Sequence, residues 1–207
     1  MSFSNQYPRS YPNTVLILIA INVLVFLVQQ IAPNMAFYVS LNIVSVARNR
    51  YFWQFFTYMF AHGSMSHLFF NMLALYIFGV PIERRIGARD FIFYYMICGI
   101  LAGIFSFAVF WFTRSYYTFL LGASGAIFAV QLAFAVFFPT SIIYIWGILP
   151  LRAPIMVLIF TGIEVFSTVT GFNRSVAHLT HLAGFGFGWI YLLLWFKINP
   201  WKSLTGR

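Results

Sequence analysis

The chain holds 207 residues, of which 62% are apolar and only 7% charged (12 Lys+Arg against 3 Asp+Glu), with a mean hydropathy of +0.87. A soluble domain carries about 25% charged and about 45–50% apolar residues, so a water-soluble globule, a disordered chain and a disulfide framework are excluded; the lone Cys98 can form no internal bridge. The net charge of +9 is scattered singly or in one small cluster, which fits cations flanking membrane spans and lacks the basic stripe of a nucleic-acid face.

A helix needs about 20 apolar residues to cross a hydrocarbon core of about 30 Å. Six stretches stand out, at 14–32, 64–80, 91–112, 122–138, 153–170 and 178–197. Asn13-Thr14 can cap the first and Pro33 closes it. Gln29-Gln30 follow its apolar run where a signal peptide would offer small residues, so a retained span is expected. Residues 35–63 are dense in aromatics yet interrupted by polar groups. They are expected to lie in the outer interface, where rings satisfy both an apolar body and a polar tip. The second span is expected to end before Pro81 and the charged stretch from Glu83 to Asp90, the fourth at Pro139. Pro150 and Pro154 bracket entry to the fifth.

These elements predict an all-α polytopic membrane protein, a six-helix bundle with an interfacial loop between spans one and two. One membrane domain covers 1–207, with no separate soluble domain. If the N-terminus is cytoplasmic, Arg9, Arg84, Arg85, Arg89, Arg152, Lys197, Lys202 and Arg207 lie inside, against Arg48, Arg50, Arg114 and Arg174 outside. The excess favours cytoplasmic termini.

Polar side chains are costly in hydrocarbon, so the few present carry the information. By alternation, the starts of spans two, four and six lie at one side, which brings His67 and Asn71, Ser124, and His178 and His181 to similar depth. His67 and Asn71 are spaced i, i+4 and share a face of span two. Gly125 and, across Ala123, Gly122 flank Ser124 near a helix N-terminus, where unpaired N–H groups favour developing negative charge. His181, Gly184 and Gly188 lie along one face of span six, and the two glycines allow backbone-to-backbone helix contact. A Ser hydroxyl beside an imidazole permits nucleophilic acyl transfer, and His67, Asn71 and the Ser124 amide can all donate to the oxygen that becomes negative. No carboxylate is expected at that depth, so a Ser–His dyad is favoured over a triad. Both His178 and His181 can face the serine. The glycine face selects His181, leaving His178 solvated or supporting, and His62 is expected at the interface.

His67-Leu68-Phe69-Phe70-Asn71, then Gly122-Ala123-Ser124-Gly125, then His181-Leu182-Ala183-Gly184 with Gly188, in that order on alternate spans, resembles the rhomboid family of intramembrane serine proteases. The loop from Pro81 to Gly87 with Glu83-Arg84, leading into Phe91 and Tyr94, is also similar. At Trp53 the family commonly has Trp-Arg, whereas Gln54 follows here. The resemblance runs from about Trp53 to Gly188, with a core of about 50–197. It implies six helices and a site opening to the extracytoplasmic face. It further implies Ser124 as nucleophile, His181 as base, His67 and Asn71 at the oxyanion hole, and substrate entry beside span five. The expected substrates are transmembrane proteins in a lipid bilayer, with no nucleic acid and no cofactor. A prokaryotic plasma membrane is the simplest home.

The competing reading within the family is an inactive relative that binds membrane-protein clients, against which retention of both Ser124 and His181 speaks. Zinc is the chemical competitor for four histidines, but no His-Glu-x-x-His pattern occurs and no metal is expected. Glu164, alone within span five, is expected to be protonated or bonded to Thr161 or Thr168, outside the catalytic set.

Overall fold

The computed structural model describes residues 13–32, 34–145, 147–170 and 177–206. Nineteen residues without a charge form α1 (Asn13–Ile31). Its first turn is capped from elsewhere in the chain. The buried Glu83 carboxylate accepts the N–H groups of Thr14 (2.9 Å) and Val15 (3.0 Å), satisfying two orphan donors at the positive end of the helix. Pro33, the expected stop, lies outside the described residues.

Residues 34–63 form short turns in place of a span: α2 (Met35–Val39), α3 (Ile43–Ala47), α4 (Gln54–Thr57) and a 3₁₀ turn at Tyr58–Phe60. Gln54, fully buried, is their cross-link. Its amide donates to the carbonyls of Phe37 and Tyr38, and its oxygen accepts the Asn42 N–H. Asn42 in turn caps α3 and donates to the carbonyls of Tyr116 and Thr118. Leu41 and Leu120 exchange two backbone bonds, and the Gly122 N–H reaches the Tyr58 carbonyl. This loop therefore fixes the path of residues 116–122.

α5 (Met65–Ala74) continues through a π turn (Leu75–Gly79) into α6 (Val80–Ile86). The expected end before Pro81 is thus corrected. The π turn places Pro81 in the first turn of the following segment, where its missing N–H is tolerated. Gly87, at φ 89°, breaks the helix there, and α7 (Ala88–Phe112) follows. Next come α8 (Ser124–Phe137), an antiparallel hairpin of β1 (Ile142–Ile145) and β2 (Leu149–Arg152), and α9 (Ala153–Thr170). The chain closes with α10 (Ala177–Leu194) and α11 (Pro200–Thr205). The sequence pattern predicts neither the hairpin nor α11.

Asn13–Ile31, Met65–Ile86, Ala88–Phe112 and Ala153–Thr170 are long and apolar enough to cross a membrane, while Ser124–Phe137 and the stretch His178–Leu194 are apolar but shorter. The architecture is a polytopic helical bundle with four spans of full length among the described residues. The 14 residues of α8 extend about 21 Å, less than a hydrocarbon core of about 30 Å, and the helix is buried along nearly all of its length. α10 meets it at backbone distance. A Cβ built on Gly184 would lie 1.9 Å from the Gly125 carbonyl oxygen, and one on Gly188 2.9 Å from the Ala129 Cβ. From α7, the buried Tyr94 hydroxyl donates to the Ala129 carbonyl (2.7 Å). Outward, Leu16, Leu24, Phe69, Leu158 and Phe166 are exposed on the spans, a surface suited to lipid.

Candidate active site

The close α8–α10 contact sets the central geometry. Ser124 opens α8, and His181 stands one turn before Gly184 on α10. His181 Nε2 lies 2.8 Å from Ser124 Oγ. The imidazole stacks on Phe128, one turn after Ser124, with ring centroids 4.5 Å apart and planes 8° from parallel. Its side chain remains 16% exposed, so a reacting group can reach it. As the first residue of α8, Ser124 has an N–H without an intrahelical partner.

The expectation that no carboxylate reaches this depth is overturned. Glu164 Oε1 is 3.0 Å from His181 Nδ1 and Oε2 is 2.5 Å from His178 Nδ1, with Glu164 itself 9% exposed. Of the two threonines expected beside it, Thr168 does bond Glu164, its hydroxyl donating to the Glu164 main-chain carbonyl (2.8 Å), while both carboxylate oxygens face imidazoles. Glu164 stands six residues before the end of α9, about 9 Å along the axis, and His181 lies four residues, about 6 Å, inside the start of α10. The two are level because these helices run in opposite directions.

On the other side of Ser124, the Ser64 hydroxyl caps α5 by accepting the His67 N–H (3.1 Å), which starts the helix that carries His67 and Asn71. Both converge on Gly122. A Cβ there would meet His67 Nε2 at 2.8 Å and Asn71 Nδ2 at 3.6 Å, and its φ of +119° also favours glycine. Two side-chain donors thus flank the turn that leads into Ser124.

His62, expected at the interface, is 2% exposed and supports Asn71. Its N–H donates to Gln29 Oε1 (3.1 Å), and its Nδ1 faces the Phe60 carbonyl (3.4 Å). A carbonyl only accepts, so Nδ1 carries the proton and Nε2 accepts from Asn71 Nδ2 at 3.0 Å. Burial, with the His67 ring beside it, pushes the His62 imidazole down to about 4, so it stays neutral and keeps that acceptor.

Glu164, His178 and His181 bring ligating atoms within 4.8 Å of one another, the arrangement among the described residues able to hold a metal ion. The hydrogen bonds of both carboxylate oxygens to the two Nδ1 atoms account for the cluster as it stands. Chemically, the site offers a hydroxyl next to an imidazole acceptor, an acid behind that imidazole, and amide and imidazole donors opposite.

Residues 49–198 match the family model described as the Rhomboid domain. The chain is 32% identical over 108 residues to rhomboid protease AarA of Providencia stuartii, which covers 46% of this chain and 38% of that protein. It is 37% identical over 76 residues to rhomboid protease GluP of Bacillus subtilis (strain 168), 37% of this chain and 14% of that protein. A mitochondrial relative, RHOMBOID-like protein 12 of Arabidopsis thaliana, is 27% identical over 146 residues, 62% of this chain and 42% of that protein. The chain spans less than half the length of each of these relatives.

Proposed function

The chain belongs to the rhomboid family, and on that premise we propose that it is a serine endopeptidase that hydrolyses peptide bonds in or near transmembrane segments of other membrane proteins. The observation that carries this reading is the 2.8 Å contact between Ser124 Oγ and His181 Nε2. Ser124 Oγ attacks the scissile carbonyl carbon and passes its proton to His181 Nε2, while the π pair moves onto the carbonyl oxygen. His67, Asn71 and the Ser124 N–H hold that oxyanion. As it collapses, the C–N bond breaks and the leaving nitrogen takes the proton from Nε2. Water then enters and attacks the ester carbon as His181 accepts its proton; the acyl C–O bond breaks and His181 returns that proton to Ser124 Oγ, releasing the acid.

The short α8 fits this task. A helix of about 21 Å whose far end meets one membrane surface leaves Ser124 roughly 9 Å below the other, deep enough to shield the site from bulk water and shallow enough to admit it. We place the opening on the extracytoplasmic side and the termini in the cytoplasm, following the cation asymmetry. Among the relatives named above, two come from bacteria and one is mitochondrial.

The test is cleavage of a single-span model substrate in proteoliposomes. Wild-type protein cleaves it and Ser124→Ala does not. A wild-type protein that binds the substrate without turnover would make it an inactive client-binding relative instead.

A further inference from the structure

Glu164 is the third acidic residue of a chain that has only three, and it reaches both His178 and His181. A carboxylate at 9% exposure needs partners to stay charged in a membrane interior. It has two, and they are not equivalent: Oε2 faces His178 Nδ1, whereas Oε1 faces His181 Nδ1, on the ring whose other nitrogen touches Ser124.

Donor and acceptor rules turn that geometry into chemistry. A carboxylate only accepts, so the proton on His181 lies at Nδ1 and Nε2 presents a bare lone pair toward Ser124 Oγ. The opposite tautomer would aim an N–H at the hydroxyl and could not take its proton. We propose that Glu164 is a positioning residue for His181: it selects the reactive tautomer, holds the ring plane together with the Phe128 stack, and offsets the positive charge that forms when Nε2 takes the Ser124 proton. His178 holds the second carboxylate oxygen and keeps the first aimed at His181. Glu164 gains no proton and touches no substrate. Across the site, the facing groups are Ser124 and Phe128 from α8, Glu164 from α9, His178 from α10 itself and His67 from α5. Glu164 is the one acid among them. The inference rests on the hydrolase reading above.

The test uses full-length protein in detergent. In Glu164→Gln the amide can turn its NH₂ toward His181 Nδ1 and favour the wrong tautomer. We expect kcat on a model peptide substrate to fall by at least about tenfold, toward the about 10⁴-fold seen when other serine hydrolases lose the orienting acid, with KM within about threefold of wild type. A purely structural tie between α9 and α10 would lower the folded fraction and the active-site titre but leave kcat per titrated site within about threefold, which would overturn the proposal. ¹⁵N-histidine magnetic resonance supplies a second readout that needs no variant. Wild-type His181 should show Nδ1 protonated and Nε2 bare, and the reverse would overturn the proposal. That measurement stands even if wild type hydrolyses nothing, the result that would sink the protease reading alone.

Discussion

Replacing Gly184 by alanine tests how the helix contact sets the site. A methyl carbon there would lie 1.9 Å from the Gly125 carbonyl oxygen, and Gly125 follows Ser124 directly. Backbone cannot swing away as a flexible side chain can, so α8 and α10 must part by about 1 Å, at an overpacking cost of about 1–3 kcal/mol. His181 sits one turn from the new methyl, and its 2.8 Å contact with Ser124 would open beyond hydrogen-bond reach. A misplacement of about 1 Å can cost about 10²-fold in rate. The assay is turnover of the single-span substrate beside a thermal melt, for Gly184→Ala and for Gly186→Ala. A Cβ on Gly186 meets nothing within 4 Å, so that variant should keep wild-type turnover and melt at or above the wild-type temperature. Gly184→Ala turning over within about threefold of wild type would refute the claim that this contact places the serine.

Three further outcomes follow from named contacts. Phe128→Ala removes the stack under His181 and should lower turnover by about two- to twelvefold, in line with about 0.5–1.5 kcal/mol for a ring pair, measurable as kcat per titrated site. His62 is held neutral down to about 4, whereas in the unfolded chain it takes a proton from about 6.5 downward. The unfolded state therefore binds more protons between those values, so stability falls as pH drops through that window, by up to about 3 kcal/mol. Melts from pH 7 to pH 4 should show this slope, and His62→Gln should flatten it. Glu83→Gln loses the charge that caps Thr14 and Val15, which should cost about 1–3 kcal/mol in a denaturation measurement while kcat per titrated site is unchanged.

Ser124 and His181 were legible because each carries its own local signal, glycines around the serine and a small-residue face below the imidazole. Their similar depth follows from alternating spans. His67 and Asn71 were legible from i, i+4 spacing on one helix. Glu164 was not. Its depth depends on where α9 ends and on α10 running back past it, neither of which a count along one span reveals. His62 was misplaced for a different reason. A helical angle from His67 has no meaning when Ala61 (ψ 145°) and Ser64 (φ −156°) are extended, as they are here. Pro81 misled because a π turn upstream makes room for it. The hairpin at Ile142–Arg152 is too short for alternation to distinguish it from loop.

The measurement closest to the central claim is the site of covalent capture by a fluorophosphonate. Intact-mass and peptide mapping of the labelled protein should find one adduct, on the Ser124 oxygen, formed at a rate that collapses in His181→Ala. An adduct on any other serine, or labelling of Ser124 that proceeds undiminished without the imidazole, would contradict the account.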